Sequence, residues 1–218
     1  AFPGAKTTTY DAGLHSPLII RHPDGTQRGS ANDALVSWVD ITPTILDFAG
    51  VEPPAYDLQI GLTPVREQME ERHGLHGRSI LPVLDGSDAQ GWDEIYASHT
   101  FHEIQMYYPM RVVRGRRYKL IWNIAHDLPY PFAADLWESP TWQHIYRQGP
   151  TAMYGPRTVD RYIHRPEFEL YDVAVDPFES NNLASDPGLA SVLADHKAKI
   201  RAFQTRTQDP WLLKWTYE

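Results

Sequence analysis

The residues able to do chemistry are few and fall in three places. Lys6 stands in a Gly-Ala-Lys-Thr-Thr-Thr stretch just ahead of an apolar run. A lysine ammonium in such a loop can hold a sulfate or phosphate as a point charge. The plainer reading of any single lysine is a solvated surface group. The stretch SHTFHEIQMYYPMR carries His99, His102, Glu103 and Arg111. His102 beside Glu103 suits hydrogen bonding to sugar hydroxyls. With His99 it also raises a metal site, but zinc needs three or four convergent ligands and no matching pattern is present. The group reads as well as structural polar residues that satisfy their neighbours. RVVRGRRYK places five cations in nine residues. Alternation along a hairpin would put several of them on a solvated face, and a polyanion-binding patch is the sharper alternative.

Composition limits what these groups can serve. The chain has 218 residues, 42% of them hydrophobic and 22% charged, enough to bury a real core. A net charge of -8 argues against nucleic acid or a membrane surface as partner, while leaving room for a local site for a small anion. No run approaches the roughly 18 apolar residues of a membrane helix, and no secretory leader is visible. Cysteine is absent, which removes disulfides, thiolate metal sites and a cysteine nucleophile from this chain.

The elements that must position these residues divide the chain in two. SPLIIRHPDG predicts a buried strand over Pro17 to Arg21, closed by a Pro-Asp-Gly turn. ALVSWVD predicts a short strand leading into a helix TPTILDFAG, with Thr42 as cap, Pro43 at the first helical position and Gly50 past the end. Ile45, Leu46, Phe48 and Ala49 would pack that helix on a sheet. Strand, strand and helix read as the last piece of a larger α/β layer. Pro53-Pro54 and several glycines mark a linker, with a short charged helix near Val65 to Arg72, and SILPVLDG predicts a short apolar helical turn. After Trp92, EIYASHTFHEI, MRVVRG, RRYKLIWNI and EFELYDVAVDP read as strands, the second and third forming a tight hairpin through Gly115. The aromatic, proline-rich stretch between the last two predicts a surface wrap with local helical turns. DPGLASVLADHKAKIRAFQTRT predicts an amphipathic helix capped by Asp186, with Leu189, Leu193, Ile200 and Phe203 on one face.

Four pieces then match one family in order. FPGAKTTTYDAGLHSPLIIRHP, VSWVDITPTILDFAG, GRSILPVLDG and ELYDVAVDPFESNNLA together resemble the C-terminal part of a type I, formylglycine-dependent sulfatase. FHEIQMYYPMRVV, SPTWQHI and TQDPW narrow the resemblance to the heparan N-sulfatase branch and its bacterial relatives. The resemblance implies the end of an alkaline-phosphatase-like α/β domain over residues 1–86. It also implies a small α+β domain over residues 92–218, with a four-stranded antiparallel sheet and a C-terminal helix. It places Lys6 where the family contacts the substrate sulfate, although the heparan N-sulfatase branch has arginine there. It makes His102 and Glu103, and more weakly Arg111, substrate-binding groups. His99 departs from the pattern.

The formylglycine nucleophile and the calcium ligands of the family have no counterpart here: no serine opens the family's nucleophile motif, and the Asp-Asp metal pair is missing. The resemblance therefore implies a segment that needs the N-terminal part of the sulfatase domain and is inactive alone. Its implied substrate is N-sulfoglucosamine of heparan-type glycans, and its implied compartment is exported, or lysosomal in a eukaryote. Aromatics between Trp122 and Tyr162 would suit a homodimer interface. The alternatives are an O-sulfate or aryl sulfatase, a phosphodiesterase of the same superfamily, and a non-catalytic glycan-binding module.

Overall fold

The computed structural model describes residues 3–25, 27–53, 75–84, 90–104 and 106–217. The predicted charged helix near Val65 to Arg72 lies outside these residues. The chain divides into two compact units, Ala1–Ile19 with Glu94–Glu218, and Ile20–Asp93.

The larger unit is organised by strands β1 (Glu94–Phe101), β2 (Tyr107–Gly115), β3 (Tyr118–Asn123) and β6 (Phe168–Asp172), fully antiparallel in the order β1-β2-β3-β6. Arg114 pairs with Lys119 across the tight β2–β3 turn, and Leu120 pairs with Leu170. The period-two alternation of a strand sends successive side chains to opposite faces, and here both faces are covered. Val113, Leu120, Trp122 and Leu170 form one core with Ile200, Leu189 and Leu193 of the C-terminal helical segment. Val112, Ile121 and Tyr171 form another with Tyr10, from the opening of the chain.

Between β3 and β6 the aromatic stretch folds into short pieces: helix Ala134–Trp137, helix Pro140–Tyr146, the two-residue strands β4 (Met153–Tyr154) and β5 (Arg157–Thr158), and helix Val159–Ile163. Tyr108, Met110, Tyr130, Trp142, Tyr154, Val159 and Tyr162 pack there as a largely aromatic core. In chain order we label the α-helices α1 (Asp11–Leu14), α2 (Ile41–Phe48), α3 (Ala134–Trp137), α4 (Pro140–Tyr146), α5 (Val159–Ile163) and α6 (Ala190–Arg206). Asp186 does cap the C-terminal segment, accepting from Gly188 N at 2.8 Å, but it starts a 3-10 turn Pro187–Leu189 that runs on into α6.

The smaller unit buries Ile80, Val83 and Trp92 against Ala34, Val36, Ile41 and Leu84. Buried Asp40 ties it together, accepting from Ser37 N at 2.8 Å and Arg78 N at 2.9 Å. A side chain at Gly77 would put its Cβ 2.0 Å from the Val39 carbonyl oxygen, so only glycine lets the two segments meet.

Several local expectations are corrected. Pro17 to Arg21 forms no strand and is exposed, Ile19 at 93%. ALVSWVD is irregular chain ending in a 3-10 turn, Trp38–Asp40. Helix α2 begins at Ile41, ahead of Thr42, and Ile45 and Phe48 face outward rather than onto a sheet. Apolar runs become strands only where a neighbouring strand takes up their backbone groups, and none does so among the described residues. RVVRGRRYK is only partly a solvated face: Arg116 and Arg117 are exposed, but Arg111 and Lys119 are buried and Arg114 is ion-paired.

Candidate functional site

The Lys6 loop is wound tightly for its length. Thr8 N donates to Ala5 O at 3.1 Å, and the Thr8 hydroxyl donates to the Ala5 and Gly4 carbonyl oxygens. Gly13 of α1 closes beneath it; a Cβ there would lie 2.3 Å from Ala5 O and 2.6 Å from Thr8 O. Thr7 has φ +66°, a left-handed conformation that a β-branched residue adopts only under constraint. The constraint is visible: the Thr7 hydroxyl donates to Lys6 O at 2.6 Å, and the Tyr130 hydroxyl donates to Thr7 O at 2.7 Å. Strain of this kind, held in place by its surroundings, concentrates at functional sites.

Behind the loop, the chain is anchored on the sheet face that carries Ile121 and Tyr171. The Tyr10 hydroxyl donates to Glu169 at 2.9 Å, and the guanidinium of Arg157 lies 3.6 Å from the centre of the Tyr10 ring. Asp11 accepts from Lys119 at 2.7 Å and Arg114 at 3.1 Å, and its own N–H donates to Glu179 at 2.6 Å. Lys119 is fully buried and also lies 2.7 Å from Glu179. Burial pushes the Asp11 carboxyl up, but Lys119 and Arg114 outweigh it and hold Asp11 below the usual carboxylate range. For Glu179, burial wins over Lys119 and its carboxyl is raised.

Lys6 projects to solvent from this platform and meets Asp135 of α3 at 2.6 Å, both side chains about half exposed or more. The hydrogen bond from Lys6 is the main reason the Asp135 carboxyl is lowered. His102 and Glu103 sit in the β1–β2 connection, His102 exposed and Glu103 half-buried. Register slips between His99 and Phe101, and such an irregularity re-aims the residues beyond it. Met106 closes the turn by donating its N–H to Glu103 O at 2.9 Å, and its side chain is buried with Ala133 and Leu136. Helix α3 therefore receives both candidates: Asp135 takes Lys6, and Leu136 takes the turn that carries His102 and Glu103.

Arg111 is placed elsewhere. It alternates with Met110 and Val112 along β2 and points to the α6 side of the sheet. There it forms a two-pronged ion pair with Asp209, donates to the His99 and Met110 carbonyl oxygens at 3.1 and 2.8 Å, and lies 5.0 Å from the Trp211 ring centre. The structure does not bring it to Lys6. His99 bonds Tyr108 O at 3.1 Å, and burial holds its imidazole below the usual histidine range.

Thr7, Tyr130, Asp135 and Met106 were not found by sequence reasoning. Asp135 lies 129 residues from Lys6, and nothing in its local sequence separates it from any surface aspartate. Among the described residues no group of three or more His, Cys, Asp or Glu side chains could hold a metal ion. No helix there is long and apolar enough to cross a membrane.

Residues 5–73 match the family described as N-sulphoglucosamine sulphohydrolase, C-terminal. Over 216 residues the chain is 34% identical to N-sulphoglucosamine sulphohydrolase of Homo sapiens, covering 97% of this chain and 40% of that protein. An ulvan-active sulfatase of Formosa agariphila is 30% identical over 189 residues, covering 86% of this chain and 32% of its own. A solved 2-O GAG sulfatase aligns over 79% of this chain and 25% of its own, at 23% identity and a TM-score of 0.48. The chain is similar to the C-terminal part of these sulfatases and spans 40% and 32% of the length of the two curated relatives. The resemblance read from the motifs is thus borne out, as are the four-stranded antiparallel sheet and its closing helix.

Proposed function

We propose that this chain forms part of a sulfatase that removes sulfate from glucosamine residues, N-sulfoglucosamine of heparan-type glycans being its substrate. The observation that carries the proposal is the Lys6 loop, with Thr7 strained and clamped so that the neighbouring ammonium meets solvent at a fixed place. The exposed pair with Asp135 is a weak competitor, so a sulfate oxyanion can take the carboxylate's position on Lys6. His102 and Glu103, reaching the same helix through Met106, supply directed hydrogen bonds to the sugar hydroxyls. Arg111 acts indirectly in this reading, fastening β2 to the C-terminal segment through Asp209.

The reaction adds water across a sulfur–nitrogen bond. Oxygen from water bonds to sulfur, the S–N bond breaks, and the products are sulfate and the glucosamine ammonium. Lys6 offsets negative charge on the group in transfer. In the family a formylglycine would supply the attacking oxygen and a calcium ion would offset charge; the described residues do not fit a calcium site, and no residue here is given either role. With this reading go residues 1–86 as the end of the α/β domain, residues 92–218 as the small domain, and an exported or lysosomal location. Lysine in place of arginine at position 6 favours a second reading, hydrolysis of an O-sulfate.

The test is sulfate release by the full-length polypeptide from N-sulfoglucosamine and from an O-sulfated glucosamine, with Lys6→Ala and His102→Ala beside wild type. Loss of N-desulfation in both variants is expected. Activity on the O-sulfate alone selects the second reading, and no release from either substrate overturns both.

A further inference from the structure

Beside Tyr130 lies a cleft of about 400 Å³, lined chiefly by Tyr130, Pro131, Phe132, Trp137, Tyr146 and Ile163. Trp137 and Tyr146 remain 41% and 40% exposed, although both rest on buried Trp142, at 6.2 and 5.5 Å between ring centres. Their own rings are 5.2 Å apart and inclined by 60°, so they make two walls of a trough with Phe132 5.9 Å from Trp137. No Asp, Glu, Lys or Arg lines the cleft. Tyr130 connects it to the Lys6 loop, since the same residue lines the cleft and bonds Thr7 through its hydroxyl.

We infer that this cleft is a second sugar subsite, which seats the pyranose ring next to the sulfated glucosamine of the same glycan. The inference rests on the function proposed above. A pyranose presents C–H groups on its faces and hydroxyls around its edge. Rigid aromatic walls match the faces, and the hydroxyl rim stays wet, as for other rings with one apolar and one polar side. The absence of charge in the lining excludes a sulfate group from the trough and admits a ring face. A cleft of this size falls in the range that holds a small ligand. Tyr130, which lines the cleft and bonds Thr7 beside Lys6, sets the order of the glycan: sulfated sugar at Lys6, next sugar on Trp137 and Tyr146.

The experiment compares the full-length protein and its Trp137→Ala and Tyr146→Ala variants on two substrates, N-sulfoglucosamine itself and a heparan-type tetrasaccharide ending in it. Each variant is expected to raise KM for the tetrasaccharide about tenfold, the size of one lost ring contact. Its kcat and its KM for the monosaccharide should stay unchanged, and Trp137→Phe should recover part of the loss. Equal losses on both substrates, or no loss on either, overturn the subsite. If a variant instead dissociates a dimer and leaves both KM values alone, the cleft is an interface between copies and the proposal fails. If wild type releases no sulfate at all, the functional reading fails, and the subsite is judged by titrating an unsulfated tetrasaccharide. Saturable binding lost in Trp137→Ala keeps the subsite, and no binding to wild type removes it.

Discussion

The Tyr130 hydroxyl reaches back across 123 residues of sequence to the Thr7 backbone, donating to its carbonyl oxygen at 2.7 Å and lying 3.0 Å from its hydroxyl. This one contact holds a threonine in left-handed backbone geometry beside the candidate sulfate contact. Replacing Thr7 by glycine would release strain of about 1–2 kcal/mol and forfeit hydrogen bonds worth roughly 0.5–1.5 kcal/mol each. These effects offset one another. Thr7→Gly is therefore expected to leave Tm nearly unchanged while sulfate turnover falls, because glycine keeps the Tyr130 bond to the carbonyl but loses both hydroxyl contacts and frees the backbone that aims Lys6. A thermal melt beside a turnover assay checks both halves, and unchanged turnover would remove the loop's role.

Lys6→Ala is expected to fold normally and to lose about 100-fold in kcat/KM, the loss typical of removing one charge-stabilising donor. Asp135→Asn frees the ammonium and should lower KM or leave it unchanged, without a measurable change in Tm, because the pair is solvent-exposed. Steady-state kinetics on the two variants separate a substrate contact from a merely structural pair.

Lys119→Met should be severe. The lysine is wholly enclosed between Asp11 and Glu179, and its removal leaves Glu179 without its cation and Asp11 with Arg114 alone. Breaking a buried pair in this way costs about 3–5 kcal/mol. Chemical denaturation should show that loss, and adding Asp11→Asn and Glu179→Gln to the same chain should recover much of it. A loss of under 1 kcal/mol would mean that water reaches the cluster.

Acid should weaken the β1–β2 region through His99. Burial keeps its imidazole neutral, with His102, Arg165 and Arg111 acting in the same direction against the Tyr108 carbonyl. A depressed folded value means that the neutral form is the stabilising one. Its contribution is complete above the ordinary histidine value of about 6.5 and is lost as pH falls through the folded value below it. Melts from pH 7.5 down to 5 should therefore fall less steeply for His99→Asn than for wild type. Parallel curves would assign the acid sensitivity to other groups.

The antiparallel sheet and its closing helix were legible because their signals are local. Alternating apolar residues in β2 and β3 and the Asp186-Pro187 start of the final helical segment depend only on neighbours in sequence. The strand expected over Pro17 to Arg21 was not, since its apolar residues become a strand only with a pairing partner. Lys6 is a candidate by resemblance alone, and its setting was not legible. The contacts from Tyr130 and Asp135 span more than a hundred residues, and no periodicity encodes them. The cations of RVVRGRRYK misled for a related reason: Lys119 reads as solvated until Asp11 and Glu179 arrive from distant parts of the chain.

One turn of helix, α3, bears Lys6 through Asp135, the His102–Glu103 connection through Leu136, and a wall of the aromatic cleft through Trp137. A helix turns about 100° with each residue. A single inserted or deleted residue within those four would swing whatever follows it a quarter-turn or more out of line, parting groups that now share one turn. Among chains of this kind, length variation should gather before Ala133 or after Glu138 and spare the turn between them.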